Sequence, residues 1–171
     1  MLMIMNPIRL WFYFLAVHFL PETRFFGLKV RLLRWCGATI GKNVRIASSA
    51  RFLGNGRLFI DDDVWIGSGC FISPINTAEI RIGEHVDIAP QVMLITGSHE
   101  IDAEGCHMAG KGYSKSIKIG DGCWLGARSI VLPGVSIAPK TILASGSIMT
   151  DSNDDEKCLW AGVPARKKKQ Y

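Results

Sequence analysis

Aliphatic residues return at every sixth position along most of the chain, with polar residues falling between them. Ile119, Leu125, Val131, Ile137, Leu143 and Met149 form an unbroken run at that stride. Shorter runs precede it: Ile40, Ile46 and Phe52; Ile60, Ile66 and Ile72; Ile82, Ile88 and Leu94. The next residue is often Gly or Ala, as at Gly41, Ala47, Gly67, Gly83, Ala89, Gly120 and Gly126. The fourth residue on is usually small or β-branched, as at Val44, Val64, Cys70, Val86, Val92, Ser129 and Thr141. An amphipathic helix repeats at about 3.6 residues and a half-buried strand at about 2. A stride of six suits neither and predicts a parallel β-helix, in which three short strands make one triangular turn of about eighteen residues. One aliphatic side chain per strand points inward and stacks on its counterpart a turn away. The small residue beside it allows the tight corner.

The beat is interrupted three times, near Gly54 to Phe59, between Ser73 and Ile80, and from Ile95 to about Lys118. Long loops that leave a rigid repeat tend to carry function, because the repeat fixes where they emerge. The pattern therefore divides the chain into an amphipathic helical leader (1–36), a coil (37–150) with an inserted loop (95–118), and a C-terminal extension with a basic tail (151–171).

Within the leader, Ile8 to Leu20 is strongly apolar but contains Arg9 and His18 and stops at Pro21. A membrane-spanning helix needs about twenty residues, and no small-residue cleavage site follows. A second helical stretch runs from Phe25 to Trp35, with Arg24, Arg31 and Arg34 to one side and Phe25, Leu28 and Leu32 nearby. Two readings stand open here. The helices cap the coil or pack on a neighbouring subunit, or they lie peripherally in a membrane interface with the basic side toward anionic headgroups.

Charge sharpens this picture. The formal net charge is +5 and the pI about 9.1, which suits an anionic ligand or a membrane surface. The excess is local, with Arg24, Lys29, Arg31 and Arg34 near the start and Arg166 to Lys169 at the end. Aromatic residues are not interleaved with the basic ones, so no nucleic-acid partner is expected. The cysteines (Cys36, Cys70, Cys106, Cys123, Cys158) are scattered and contain no C-x-x-C pair. Cys70 and Cys123 fall on the small-residue position of the repeat, which predicts core packing and fits a reducing cytoplasm.

The four histidines are unequal candidates for chemistry. His18 lies in the apolar leader, His85 on a repeat corner where a solvated side chain is the default, and His107 inside the long loop beside Cys106. His99 stands where the coil ends and the long loop leaves, in Leu94-Ile95-Thr96-Gly97-Ser98-His99. Its position makes it the catalytic candidate.

Three stretches carry a resemblance: Ile82 to His99, ending T-x-x-H; Lys115 to Val135, reading KSIKIGDGCWLGARSIVLPGV; and Ala161-Gly162-Val163-Pro164-Ala165-Arg166. With them the chain, from about Gly37 to Arg166, resembles the hexapeptide-repeat acyltransferases. The similarity is to the galactoside and maltose O-acetyltransferases and, through the leader and the Gly37 to Gly41 entry to the coil, to the polysaccharide-cluster branch. The resemblance implies an all-β, left-handed parallel β-helix with an N-terminal helical appendage. It further implies acetyl transfer from acetyl-CoA to a sugar or glycan hydroxyl by direct attack, at a site formed between subunits of a homotrimer, with no metal. A sugar hydroxyl is a poor nucleophile at neutral pH. An imidazole, which as a residue type titrates near pH 6.5, takes its proton and returns it to the departing thiolate.

By the same resemblance His99 is the base and the backbone N–H of Ala127 stabilises the oxyanion. Trp124 walls the thioester arm, Ser145 and Thr150 lie along coenzyme A, and Arg166 meets a phosphate. Asp151 follows Thr150 where the sugar enzymes carry a lysine. Ser73 falls where they carry an acceptor-binding Asn, with Asn76 as the alternative from the neighbouring loop. The same chemistry on an amine or on serine is the nearest rival. A γ-type carbonic anhydrase-like site would instead need His85, His99 and His107 to converge on zinc, and a non-catalytic assembly protein would bind no coenzyme A. The expected location is cytoplasmic, with peripheral contact at the inner face of the membrane under the second reading of the leader.

Overall fold

The computed structural model describes residues 4–171 and shows a left-handed parallel β-helix of about five turns behind two N-terminal helices. The first turn is β1 (Thr39–Ile40), β2 (Arg45–Ile46) and β3 (Arg51–Phe52). The second is β4 (Arg57–Ile60), β5 (Trp65–Ile66) and β6 (Phe71–Ser73), and the third β7 (Glu79–Ile82), β8 (Asp87–Ile88) and β9 (Met93–Ile95). An antiparallel hairpin, β10 (Gly97–Ile101) and β11 (Ala109–Ser114), then leaves the coil. The fourth turn is β12 (Ile117–Ile119), β13 (Trp124–Leu125) and β14 (Ile130–Val131), and the fifth β15 (Ser136–Ile137), β16 (Ile142–Leu143) and β17 (Ile148–Met149).

Equivalent strands stack into three parallel sheets, one per side of the prism. Their orders are β1-β4-β7-β12-β15, β2-β5-β8-β13-β16 and β3-β6-β9-β14-β17. The register sets Ile40 on Ile60, Ile46 on Ile66 and Phe52 on Ile72, so each beat residue lies directly on the next. All of the beat residues from Ile40 to Met149 are buried, and so are the small or β-branched residues Val44, Val64, Cys70, Val86, Val92, Ser129 and Thr141. A fully buried aliphatic side chain contributes about 1.5–3 kcal/mol, so this column is the main stabilising term. Burial also pushes the thiols of Cys70 and Cys123 up to about 11, which keeps them as inert packing groups.

The first helix, α1 (Pro7–His18), starts where the Asn6 side chain accepts the Arg9 N–H at 3.0 Å and Pro7 fills the first helical position. The second is α2 (Phe26–Trp35). Leu10, Tyr13 and Val17 of α1 and Val30 and Leu33 of α2 join the core. The Tyr13 ring meets Phe52 edge-on at 6.1 Å, and Phe26 meets Trp65 at 5.9 Å. Lys29 is fully buried, and its ammonium donates to the carbonyls of Ile46, Glu22 and Pro21. The helices therefore cap the open end of the coil, one of the two roles left open above.

At the other end, β18 (Cys158–Gly162) pairs parallel with β16, and β19 (Ala165–Gln170) folds back antiparallel on β18. The C-terminal extension thus widens the second sheet, and its basic tail is part of a hairpin. Cys158 is buried there, and its thiol donates to the Glu156 carbonyl at 3.0 Å.

Extra residues enter in the first three turns at one vertex, between the third sheet and the first. They form short loops at 53–56 and 74–78 and then the β10–β11 hairpin. Successive insertions are bonded to one another: Gly56 N–H donates to Pro74 O at 2.9 Å, and Asn76 N–H to Asn55 Oδ1 at 2.8 Å. Ile75 N–H donates to Thr96 Oγ1 at 2.8 Å, and the buried Thr96 hydroxyl donates to Ser73 O at 3.1 Å. The hairpin therefore rises from a braced ledge.

Candidate active site

His99 lies on β10, opposite Gly112 of β11, and Ser98 lies opposite Tyr113. The 95–118 stretch, read from the sequence as an inserted loop, is largely this hairpin. Strand pairing fixes the His99 backbone, and the residue is exposed. A cavity of about 330 Å³ opens beside it, lined by Ile75, Asn76, Gly97, His99, Gly112 and Tyr113. Asn76 has a left-handed backbone (φ 56°), a conformation Asn tolerates better than most residues. That geometry presents Asn76 on the same cavity as His99. Ser73 is buried on β6, paired with Ile95, and does not line the cavity.

A second, more apolar slot of about 260 Å³ lies on the second sheet, lined by Trp124, Gly126, Ile142, Ala144, Ser145 and Tyr171 among others. Trp124 is half exposed and pairs with Ile142 of the next turn. Gly126 has no alternative here. A Cβ would stand 2.5 Å from Ser145 N, 2.8 Å from Leu143 O and 2.9 Å from Ala144 C. This close approach sets the next corner, where Ala127 O accepts the Gly146 N–H at 2.9 Å. The Ala127 N–H itself has no acceptor among the described residues, so it is available to an external oxygen.

Further along, the Thr150 hydroxyl donates to Asp151 Oδ2 at 2.9 Å, and Arg166 Nη1 donates to the same oxygen at 3.2 Å. Asp151 thus occupies the guanidinium that the resemblance assigned to a phosphate. Both partners are well exposed, so the pair is worth at most about 1 kcal/mol and yields readily to a more highly charged anion.

The two cavities share no residue. His99 and Asn76 stand at the vertex between the third sheet and the first, whereas Ser145 and the Ala127 corner stand at the vertex between the second and the third, next to Trp124 of the second. Within one chain the third sheet separates them.

His85 does not join His99. It sits on a corner with φ 56°, and its Nδ1 lies 3.0 Å from Asp63 Oδ2. The hydrogen bond from His85 pulls the Asp63 pKa down. Among the described residues no three His, Cys, Asp or Glu side chains are grouped to hold a metal. A larger groove of about 540 Å³ runs along the first sheet past Phe59, Arg81, Lys118, Asp121 and Asn153. It contains none of the candidate residues.

Sequence reasoning missed Tyr113 and Tyr171, one in each cavity. Tyr113 is brought in by antiparallel pairing inside an insertion that has no hexapeptide beat, and Tyr171 by the fold-back of β19. Neither leaves a periodic trace.

Comparison with known proteins agrees with this architecture. Residues 116–151 match the family model for the bacterial transferase hexapeptide (six repeats). The chain is 34% identical over 116 residues to the putative colanic acid biosynthesis acetyltransferase WcaF of Escherichia coli (strain K12), a match covering 68% of this chain and 60% of that protein. It is 29% identical over 135 residues to the galactoside O-acetyltransferase of the same organism, covering 79% and 64%. The matched region thus spans under two thirds of the length of these curated relatives. Among solved structures, a maltose O-acetyltransferase from Clostridium difficile 630 superposes with a TM-score of 0.65 at 22% identity, covering 96% of this chain and 86% of that one. A galactoside acetyltransferase in complex with coenzyme A gives 0.65 at 22%, covering 96% and 80%. The chain is thus similar to the hexapeptide-repeat bacterial transferases, whose repeat its residues 116–151 carry.

Proposed function

We propose that the protein is an O-acetyltransferase that moves acetyl from acetyl-CoA to a hydroxyl of a sugar, in a surface polysaccharide or its precursor, in the cytoplasm. His99 takes the proton of the acceptor hydroxyl as its oxygen attacks the thioester carbonyl carbon. The C–O bond forms, the C–S bond breaks, and the proton passes from the imidazole to the departing thiolate of coenzyme A. The negative charge that develops on the carbonyl oxygen is met by the Ala127 N–H. Coenzyme A lies along Trp124, Ser145 and Thr150, with its phosphates exchanging Arg166 away from Asp151. Asn76, and not the buried Ser73, meets the acceptor.

One observation carries this reading: the His99 imidazole, on a paired strand, lines a cavity with polar Asn76 and Tyr113, while an unpaired corner N–H waits beside an apolar slot. The placement of the two halves on opposite edges of the third sheet supports a site assembled between copies of the chain. A homotrimer supplies that juxtaposition. Acetyl transfer to oxygen is also the chemistry named for the galactoside O-acetyltransferase relative.

The test is a radiolabelled acetyl-CoA transfer assay over a panel of sugar acceptors, with wild type and His99→Ala. Removing a general base costs about 10²–10⁴-fold in rate. Full transfer by His99→Ala to every active acceptor would refute the mechanism, and products that are exclusively amides would move the acceptor to an amino sugar.

A further inference from the structure

Capping the coil explains only one side of α1. Leu10, Tyr13 and Val17 face the core, but Ile8, Trp11, Phe12, Leu15 and Phe19 lie on the opposite side and are exposed. Ile8 and Phe19 are 72% and 76% exposed. A helix whose sole task is to cover a core has a polar outer face, so this second apolar stripe needs its own partner.

The outer side of α2 continues it with exposed Leu28 and Trp35. Arg9 joins the two helices: its guanidinium donates to Trp35 O at 2.9 Å and lies 5.2 Å from the centre of the Trp35 ring. The result is an aromatic-rich platform across the end of the prism.

Its charge identifies the partner. The cap carries Arg9, Arg24, Lys29, Arg31 and Arg34 against a single carboxylate, Glu22. Glu22 is engaged by the Ser49 N–H and hydroxyl, and Lys29 is buried among carbonyls. The Arg34 guanidinium donates to the Ile40 and Gly41 carbonyls of the coil, which leaves Arg24 and Arg31 exposed beside the apolar stripe. Two copies meeting through this face would bring arginines against arginines with no acid to match them. A surface that is apolar at its centre and anionic at its margin complements it instead. No helix among the described residues is long and apolar enough to cross a bilayer, so such contact is in the plane of the interface.

We infer that the helical cap docks the protein on an anionic membrane surface, with the α1 stripe among the acyl chains and Arg24 and Arg31 on the headgroups. This orients the prism end-on to the membrane. The inference concerns the cap alone and stands whether or not the chain transfers acetyl groups.

Flotation of the full chain with vesicles of mixed phosphatidylglycerol and phosphatidylcholine, against phosphatidylcholine alone, tests it. Wild type is expected to float with the anionic vesicles and to be released by salt. Phe12→Ser with Leu15→Ser, or Arg24→Glu with Arg31→Glu, is expected to lower the bound fraction about tenfold or more. Both pairs lie on exposed sites, and thermal unfolding of each variant confirms that the cap is intact. Wild type that stays free at low ionic strength overturns the inference. So does binding that neither pair of substitutions weakens, or a change in the sedimenting mass of the protein alone, which would mean that a second copy covers the face.

Discussion

The ammonium of Lys29, on α2, donates to the carbonyl oxygen of Ile46, in the first turn of the coil, at 3.0 Å. This bond crosses the boundary between helical cap and prism. Burial lowers the Lys29 pKa against the opposing pull of Glu22, yet the carbonyls of Ile46, Glu22 and Pro21 all receive a hydrogen bond from the group. Lys29→Met keeps the stem and removes the donor. Leaving such acceptors unpaired costs about 1–3 kcal/mol, and urea unfolding should register that loss.

Glu22 makes the same junction sensitive to acid. Burial pushes its pKa up, but hydrogen bonds from the Ser49 and Ser68 hydroxyls and the Ser49 N–H, together with the charge of Lys29, outweigh it, and the net shift is downward. The unfolded chain therefore binds this proton first. The stabilisation is fully present above the unfolded pKa of about 4.3 and is lost as pH falls through the lower, folded value. Thermal unfolding should place wild type above Glu22→Gln at neutral pH, with the gap closing below about pH 4. A gap that widens on acidification would contradict the assignment.

Gly126 makes a purely steric prediction. The atoms a Cβ would meet are the backbone of Leu143 to Ser145, which cannot swing aside as a side chain would. Gly126→Ala should cost about 1–3 kcal/mol and displace the neighbouring Ala127 N–H. We expect a lower melting temperature together with a fall in acetyl transfer exceeding that of an equally destabilising core variant such as Ile66→Val.

Asp151 should act as a brake on the anionic ligand. Its carboxylate holds Arg166 at 3.2 Å on an exposed surface. Asp151→Asn frees the guanidinium and removes a nearby negative charge, so coenzyme A affinity measured by calorimetry should rise by about two- to tenfold, most at low salt. Unchanged or weaker binding would place the phosphates elsewhere.

The prism was legible because its period is set by geometry. Every inward position, from Ile40 to Met149, repeats a single packing requirement, and each proved buried. His99 could be singled out for a similar reason, since the end of a beat marks where a chain leaves the coil. The role of the leader was not decidable from composition, because α1 is apolar on both of its faces and a one-dimensional pattern does not say which face is covered. The partners of His99 were harder still. Tyr113 reaches the cavity through antiparallel register inside β10–β11, and Asn76, not Ser73, faces it because of a left-handed backbone in a short insertion. Such non-repeating local conformations leave no stride to count.

All three lengthenings of the coil leave at one vertex, and the strands on either side keep their rungs in step. Chemistry and scaffold are therefore separable in this chain. Residues 53–56, 74–78 and 97–114 form a braced cassette that could be exchanged as a unit with that of a relative, remaking the recognised sugar while the column of isoleucines beneath goes on folding as before.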